Sequence, residues 1–158
     1  MNYSYRLKTG ILTLVLLMTG LSSCTRESDD SSPNKVLESY IQISFAAATA
    51  QDKKRMEELL TGDTKARLSS WSDDQFTKAF IGTKKKFQGL KVLETKKVNE
   101  QEVALTYELS YQEGPQDKLA LVTQRKLCTI THEADGWKIK EVRSIRESIE
   151  YLKELSLP

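Results

Sequence analysis

The spacing of apolar residues changes once along this chain of 158 residues, at Gly82, and this change constrains the fold more than any other feature. Before Gly82, apolar residues recur every three or four positions, which is typical of amphipathic helices. After Gly82, they alternate with polar residues, as in strands with one buried face. Because the helices precede the strands instead of alternating with them, we predict an α+β fold with an antiparallel sheet.

Several helical segments are predicted before Gly82. A long helix begins at Ser32-Pro33, which supply a cap and a first-turn proline, and runs to about Ala50. Its apolar stripe consists of Val36, Leu37, Tyr40, Ile41, Ile43, Ser44 and Ala47. Asp52 is placed to cap a second, short helix that carries Met56, Leu59 and Leu60, and the break Thr61-Gly62-Asp63-Thr64 leads into a third segment, 65–70. A further helix is predicted over 72–81, with Phe76, Ala79 and Phe80 facing inward.

Four strands are predicted after Gly82. They run through 87–93, 103–111, 119–132 and 137–145, and the second has the clearest alternation, with Val103, Leu105, Tyr107, Leu109 and Tyr111 on one face. In the third strand, Leu119 and Leu121 are out of phase with Cys128 and Ile130, which predicts a bulge or bend near 123–126. The last strand also changes phase. Two such changes predict a curved sheet.

The first 23 residues have the three parts of a bacterial export signal. A basic start with Arg6 and Lys8 precedes the apolar run 11–18 and a small-residue end. This run is too short to span a bilayer, which takes about 20 apolar residues. The sequence Leu21-Ser22-Ser23-Cys24 follows and resembles the lipobox of bacterial lipoproteins.

This resemblance implies that Cys24 is lipidated and becomes the first mature residue. Residues 1–23 are then a lipoprotein signal peptide, 24–33 a polar tether and 34–152 the folded domain. Thr25 follows the lipidated residue, which favours the outer membrane in a Gram-negative host. We therefore expect an exported protein that is anchored to a bacterial membrane through the lipid on Cys24.

Charge argues against a nucleic-acid partner. The chain has 24 basic and 22 acidic residues, but two of the basic residues belong to the predicted leader, which has no acidic residue. The remaining chain is therefore neutral overall, whereas nucleic-acid-binding domains present a strongly basic surface.

The predicted domain resembles the NTF2-like, cystatin-like α+β family, in particular small bacterial lipoproteins with DUF4878-type domains. The similarity rests on Ser32-Pro33-Asn34-Lys35-Val36, on the long helix that ends in Ala50-Gln51-Asp52, and on Asp135-Gly136-Trp137-Lys138-Ile139. It implies N-terminal helices packed on a curved four-stranded antiparallel sheet, which together form a cone with a pocket between helix and sheet.

Trp71, Tyr107, Tyr111 and Cys128 are the candidate residues for lining such a pocket, although the same residues would serve equally well as ordinary core. His132 is the only histidine, and no ligand spacing for a metal accompanies it. No catalytic dyad and no cofactor motif is recognised. The basic run 84–86 fits either a solvated strand edge or contact with anionic lipid headgroups.

These observations favour a non-enzymatic binding or accessory module in the cell envelope, whose partner is a small ligand or an envelope protein. The alternatives are a small hydrolase or isomerase that uses the cone pocket, and a purely structural subunit. An inward Asp, Glu or His beside Tyr107 would favour the enzyme.

Overall fold

The computed structural model describes residues 32–115 and 118–152. The predicted leader, Cys24 and most of the tether lie outside these ranges. The helices are α1 (Pro33–Ala46), α2 (Gln51–Glu58), α3 (Gly62–Ser69) and α4 (Asp73–Phe76), and α4 continues as a π-helical turn, Thr77–Ile81. The strands are β1 (Lys86–Asn99), β2 (Glu102–Glu113), β3 (Ala120–Glu133) and β4 (Gly136–Tyr151). Within the described ranges, no helix combines the length and the apolar character that crossing a bilayer requires.

The four strands form one open antiparallel sheet in the order β1-β2-β3-β4. The predicted α+β class and the four-stranded antiparallel sheet are confirmed. The central pair, β2 and β3, is in uninterrupted register from Glu102↔Thr131 to Glu113↔Ala120. Both edge strands are irregular, because β1 changes register against β2 at three points and β4 changes register against β3 at two. Irregularities of this kind bend strands.

The helix α1 begins where the sequence predicts, since the Ser32 hydroxyl accepts a hydrogen bond from the Lys35 amide at 3.4 Å. It ends at Ala46, four residues before the predicted end. The predicted role of Asp52 was wrong. Its carboxylate accepts hydrogen bonds from the amides of Ala48 at 3.0 Å and Thr49 at 3.1 Å, so it orders the turn between the two helices instead of capping α2.

The segment after Ser72 begins with a capping box, in which Ser72 and Gln75 exchange hydrogen bonds between side chain and backbone. Phe76 is fully buried, but Ala79 is exposed, contrary to the prediction. Ala79 lines an open cleft instead of the core, and it lies in the π-helical turn. The last hydrogen bond of this turn runs from the Gly82 amide to the Thr77 carbonyl at 2.7 Å.

The predicted change of face in β3 was wrong. Ala120, Val122, Cys128 and Ile130 are all buried on one face, which we call the inner face, whereas Leu121 is on the other. The apolar pattern breaks because Gln124 and Lys126 occupy inner positions between them. The register change near Arg125 and Lys126 belongs to β4, where Ile145 is the additional residue.

One core joins the helices to the inner face of the sheet. Its fully buried members include Leu37, Met56, Phe76, Leu105, Tyr107 and Ile139. The end of α2 is also tied to β4 by backbone hydrogen bonds: the Thr61 amide donates to the Ile139 carbonyl at 2.9 Å, and the Ile139 amide donates to the Leu59 carbonyl at 2.8 Å. The helices therefore border the inner face, where the cleft described below lies.

Candidate functional site

A cleft of about 290 Å³ lies between α1, the π-helical turn and the inner face of the sheet. We call it the inner cleft. Its apolar wall is formed by Ile41, Phe45, Phe80, Leu109 and Val142. Its polar side chains are those of Tyr40, Ser44, Thr83, Lys85, Tyr107, Tyr111, Gln124 and Lys126. Polar and apolar atoms contribute about equally to the wall, so the cleft can contact both an apolar part and the polar groups of a ligand.

Two phenol groups face the inner cleft without a protein partner. Among the described residues, the hydroxyls of Tyr40 and Tyr107 take part in no hydrogen bond, and no fully enclosed side-chain polar atom is left unsatisfied. These hydroxyls are therefore reached by solvent through the cleft. Burial, and to a smaller extent the nearby Cys128 thiol, raises the pKa of both phenols. Both consequently remain protonated at neutral pH and can donate hydrogen bonds.

Lys126 brings a half-buried ammonium group to the same cleft. It lies directly opposite Tyr107 in the register of β2 and β3. Burial lowers the pKa of Lys126; Glu147 opposes this shift and Lys85 adds to it. Within residues 32–115 and 118–152, no carboxylate oxygen lies within 4.0 Å of its Nζ. The charge is thus partly removed from water without a close counter-ion.

Lys85 supplies a second cation, from the segment just before β1. Its Nζ lies 5.1 Å from the centroid of the Tyr111 ring and 3.6 Å from a carboxylate oxygen of Glu113. The first distance is within the range of cation–π attraction. The basic run 84–86 predicts a strand edge or lipid contact, and nothing in its sequence associates Lys85 with a pocket.

The neighbouring acids are at the edge of this site. Glu147 lies opposite Gln124 in the register of β3 and β4, and it accepts a hydrogen bond from the Gln124 amide. Glu147 is exposed and does not line the inner cleft, and neither does Glu113. Among the described residues that line this cleft there is no Asp, Glu or His.

The four residues proposed for a pocket have three different environments. Tyr107 and Tyr111 line the inner cleft. Trp71 lines a second cavity of about 280 Å³, which Tyr40 and Phe80 separate from the first. Cys128 is fully buried in the core, and burial raises the pKa of its thiol to about 12.

His132 lies at the end of β3, away from the inner cleft. Its exposed ring contacts Trp137 edge-to-face, with 4.9 Å between centroids. Across the part of the chain that the structure describes, no three His, Cys, Asp or Glu side chains converge as metal ligands would.

Comparison with known proteins adds no assignment. No protein-family model matches this chain, and no curated protein matches it.

Proposed function

We propose that the protein is a cell-envelope lipoprotein, tethered to the membrane through Cys24, whose NTF2-like domain binds a small ligand in the inner cleft without transforming it. The proposed binding function rests on the polar groups in the cleft that have no partner among the described residues. The Tyr40 and Tyr107 hydroxyls and the Lys126 ammonium all face a space bordered by apolar side chains. A ligand that accepted hydrogen bonds from these groups would restore the partners they lack.

The predicted tether supports the proposal that the domain is anchored to a membrane of the cell envelope. Eight residues, 25–32, separate Cys24 from Pro33, the first residue of α1, and a fully extended segment of this length would span about 26–29 Å. A tether of this length would hold the folded domain clear of lipid headgroups. The cleft would remain accessible to solutes of the compartment.

The NTF2-like cone is supported by the irregular edge strands and by the place of the cleft. Bulges in β1 and β4 bend the two sides of the sheet, while the central pair stays regular. The inner cleft lies between α1 and the sheet, where the family resemblance implies a pocket.

An isomerase or hydrolase that uses the same cleft is the second candidate. Lys126, a lysine whose pKa burial lowers, lies opposite the Tyr107 phenol, and such a pair could exchange protons with a bound molecule. Binding alone is favoured because no carboxylate or imidazole of the described residues lines the cleft.

Native mass spectrometry of the protein recovered from its host's envelope tests this proposal. We expect a bound small molecule on the wild type and its loss in Ala79→Trp, because Ala79 lines the cleft and an indole there would fill it. Lys78→Trp is the matched control, since Lys78 is the adjacent residue and its side chain is 76% exposed. A wild type that carries no small molecule, or equal loading of both tryptophan variants, would contradict binding in the cleft. Conversion of the recovered molecule on incubation with the protein would favour the enzyme.

A further inference from the structure

We infer that the inner cleft selects a small monocarboxylate with an apolar body, whose carboxylate pairs with Lys126 and Lys85. This inference rests on the proposed function and adds the chemical class of its ligand. It depends on four features of the cleft: two cations, nearby acids that are already engaged, phenolic donors, and an apolar wall.

The cations require a negative charge. Lys126 is half-buried and has no carboxylate within 4.0 Å among the described residues, and Lys85 faces the same space. Burying an ammonium group without a counter-ion is unfavourable, and the two like charges add to that cost. An anion between them would offset both costs, and it would form charge-assisted hydrogen bonds that a neutral ligand cannot form.

The carboxylates near the cleft favour a ligand with a single negative charge. Glu113 is already 3.6 Å from Lys85, and Glu147 accepts the hydrogen bond from Gln124. Among the described residues, Lys126 is therefore the cleft lysine without a carboxylate within 4.0 Å, and one negative charge is enough to balance it. Both glutamates would repel a phosphate dianion more strongly than a carboxylate, which carries a single charge.

The tyrosine hydroxyls, the apolar side chains and the volume of the cleft also fit a small carboxylate with an apolar body. The Tyr40 and Tyr107 hydroxyls, which have no hydrogen-bond partner in the described part of the chain, can donate to carboxylate oxygens. Ile41, Phe45 and Phe80 provide an apolar surface for the body of the ligand. The volume of about 290 Å³ is at the small end of the range for ligand pockets, which is about 300–1,000 Å³, so the ligand is metabolite-sized.

The test compares matched probes on the full chain purified from its host. Two-dimensional NMR follows titrations with 4-phenylbutyrate, its neutral amide 4-phenylbutanamide, and phenyl phosphate. We expect the carboxylate to bind at least about tenfold more tightly than the amide, a difference equivalent to about 1.4 kcal/mol. Phenyl phosphate should bind more weakly than the carboxylate.

Replacing Lys126 tests whether its charge causes the preference for the carboxylate over the amide. Lys126→Met keeps a side chain of similar length without the charge, and it should abolish the preference for the carboxylate while leaving amide binding within about twofold. Lys96→Met is the control, since Lys96 is an exposed lysine of β1 outside the cleft, and it should behave as the wild type. If Lys126→Met fails to fold, the wild-type ranking of the three probes still decides the question, as does the loss of carboxylate affinity on raising the salt concentration.

Each outcome has a distinct meaning. Equal affinity for carboxylate and amide would overturn this inference and leave the proposed binding function intact. Tighter binding of phenyl phosphate would overturn it in favour of a phosphate-bearing ligand. If no probe perturbs the resonances of the cleft residues, the inference and the binding function both fail.

Discussion

Phe76→Ala tests whether α4 packs on the sheet as described, and with it the wall of the inner cleft. Phe76 is fully buried, and its ring stacks on Phe80 with 4.9 Å between centroids. Phe80 in turn lines the cleft, so the position of Phe76 determines the position of that wall.

Burial sets the expected magnitude. Truncating a fully buried Phe to Ala costs about 3–5 kcal/mol, and this range includes the contribution of an aromatic pair, about 0.5–1.5 kcal/mol. The higher helix propensity of alanine returns about 0.5 kcal/mol. We therefore expect the free energy of unfolding to fall by about 2.5–4.5 kcal/mol, a large part of the roughly 5–15 kcal/mol that holds a domain together.

Urea denaturation followed by far-UV circular dichroism measures this loss, with Lys78→Ala as the control on the same segment. Lys78 pairs with Asp74, and both side chains are at least 75% exposed. Such pairs contribute little, so the control should stay within about 0.5 kcal/mol of the wild type. A loss below about 1 kcal/mol for Phe76→Ala, with an unchanged m value, would show that this ring is not in the core and that α4 lies elsewhere.

Two further predictions concern the lipid anchor and the turn between α1 and α2. Cys24→Ser should abolish incorporation of a labelled fatty acid, whereas Cys128→Ser should retain it because Cys128 is buried in the core; equal labelling of the wild type and Cys24→Ser would refute the lipid anchor. The hydrogen bonds that the Asp52 carboxylate accepts from two backbone amides and from Arg55 lower its pKa below the ordinary 3.8, so its stabilisation is present above that value and is lost as pH falls through the lowered pKa. Asp52→Asn should therefore be less stable than the wild type at pH 7 and lose less stability on acidification; parallel pH profiles of the urea midpoint would contradict this.

The fold class could be predicted because backbone periodicity is a local property of the sequence. In β2, the residues predicted for one face include Leu105, Tyr107, Leu109 and Tyr111, and all four are buried. Glu108, which alternates with these residues, lies on the opposite face and pairs with Arg125 at 2.7 Å. The inner positions of β2 are apolar or aromatic even where they line the cleft, so the period of this strand is visible in the sequence.

The candidate site could be predicted only in part, because pockets depend on contacts between distant segments. Tyr107 and Tyr111 follow from the alternation of β2. Lys85 lies in the segment between the π-helical turn and β1, where no period exists, and only the folded chain brings it to Tyr111. Trp71 and Cys128 are apolar and inward like the others, and their sequence contexts do not distinguish core from cavity.

The error in β3 and the position of the cleft have the same physical origin. Polar side chains at inner positions cost about 1–3 kcal/mol each when protein packs around them without a hydrogen-bond partner. Lys126 is tolerated because the inner cleft lies above it, and Gln124 faces the same cleft and donates a hydrogen bond to Glu147. Two structures would explain this break in the apolar pattern of β3. One is a bulge that exchanges the two faces of the strand, and the other is a cavity above its inner face. The partner strand distinguishes them, since Leu109 and Tyr107 lie opposite these two residues and their own alternation continues unbroken. A bulge in β3 would shift its register against β2, whereas a cavity leaves the register intact. Polar inward residues opposite an unbroken apolar strand therefore indicate a cavity, and in this chain they mark the site where a charged ligand group would lie.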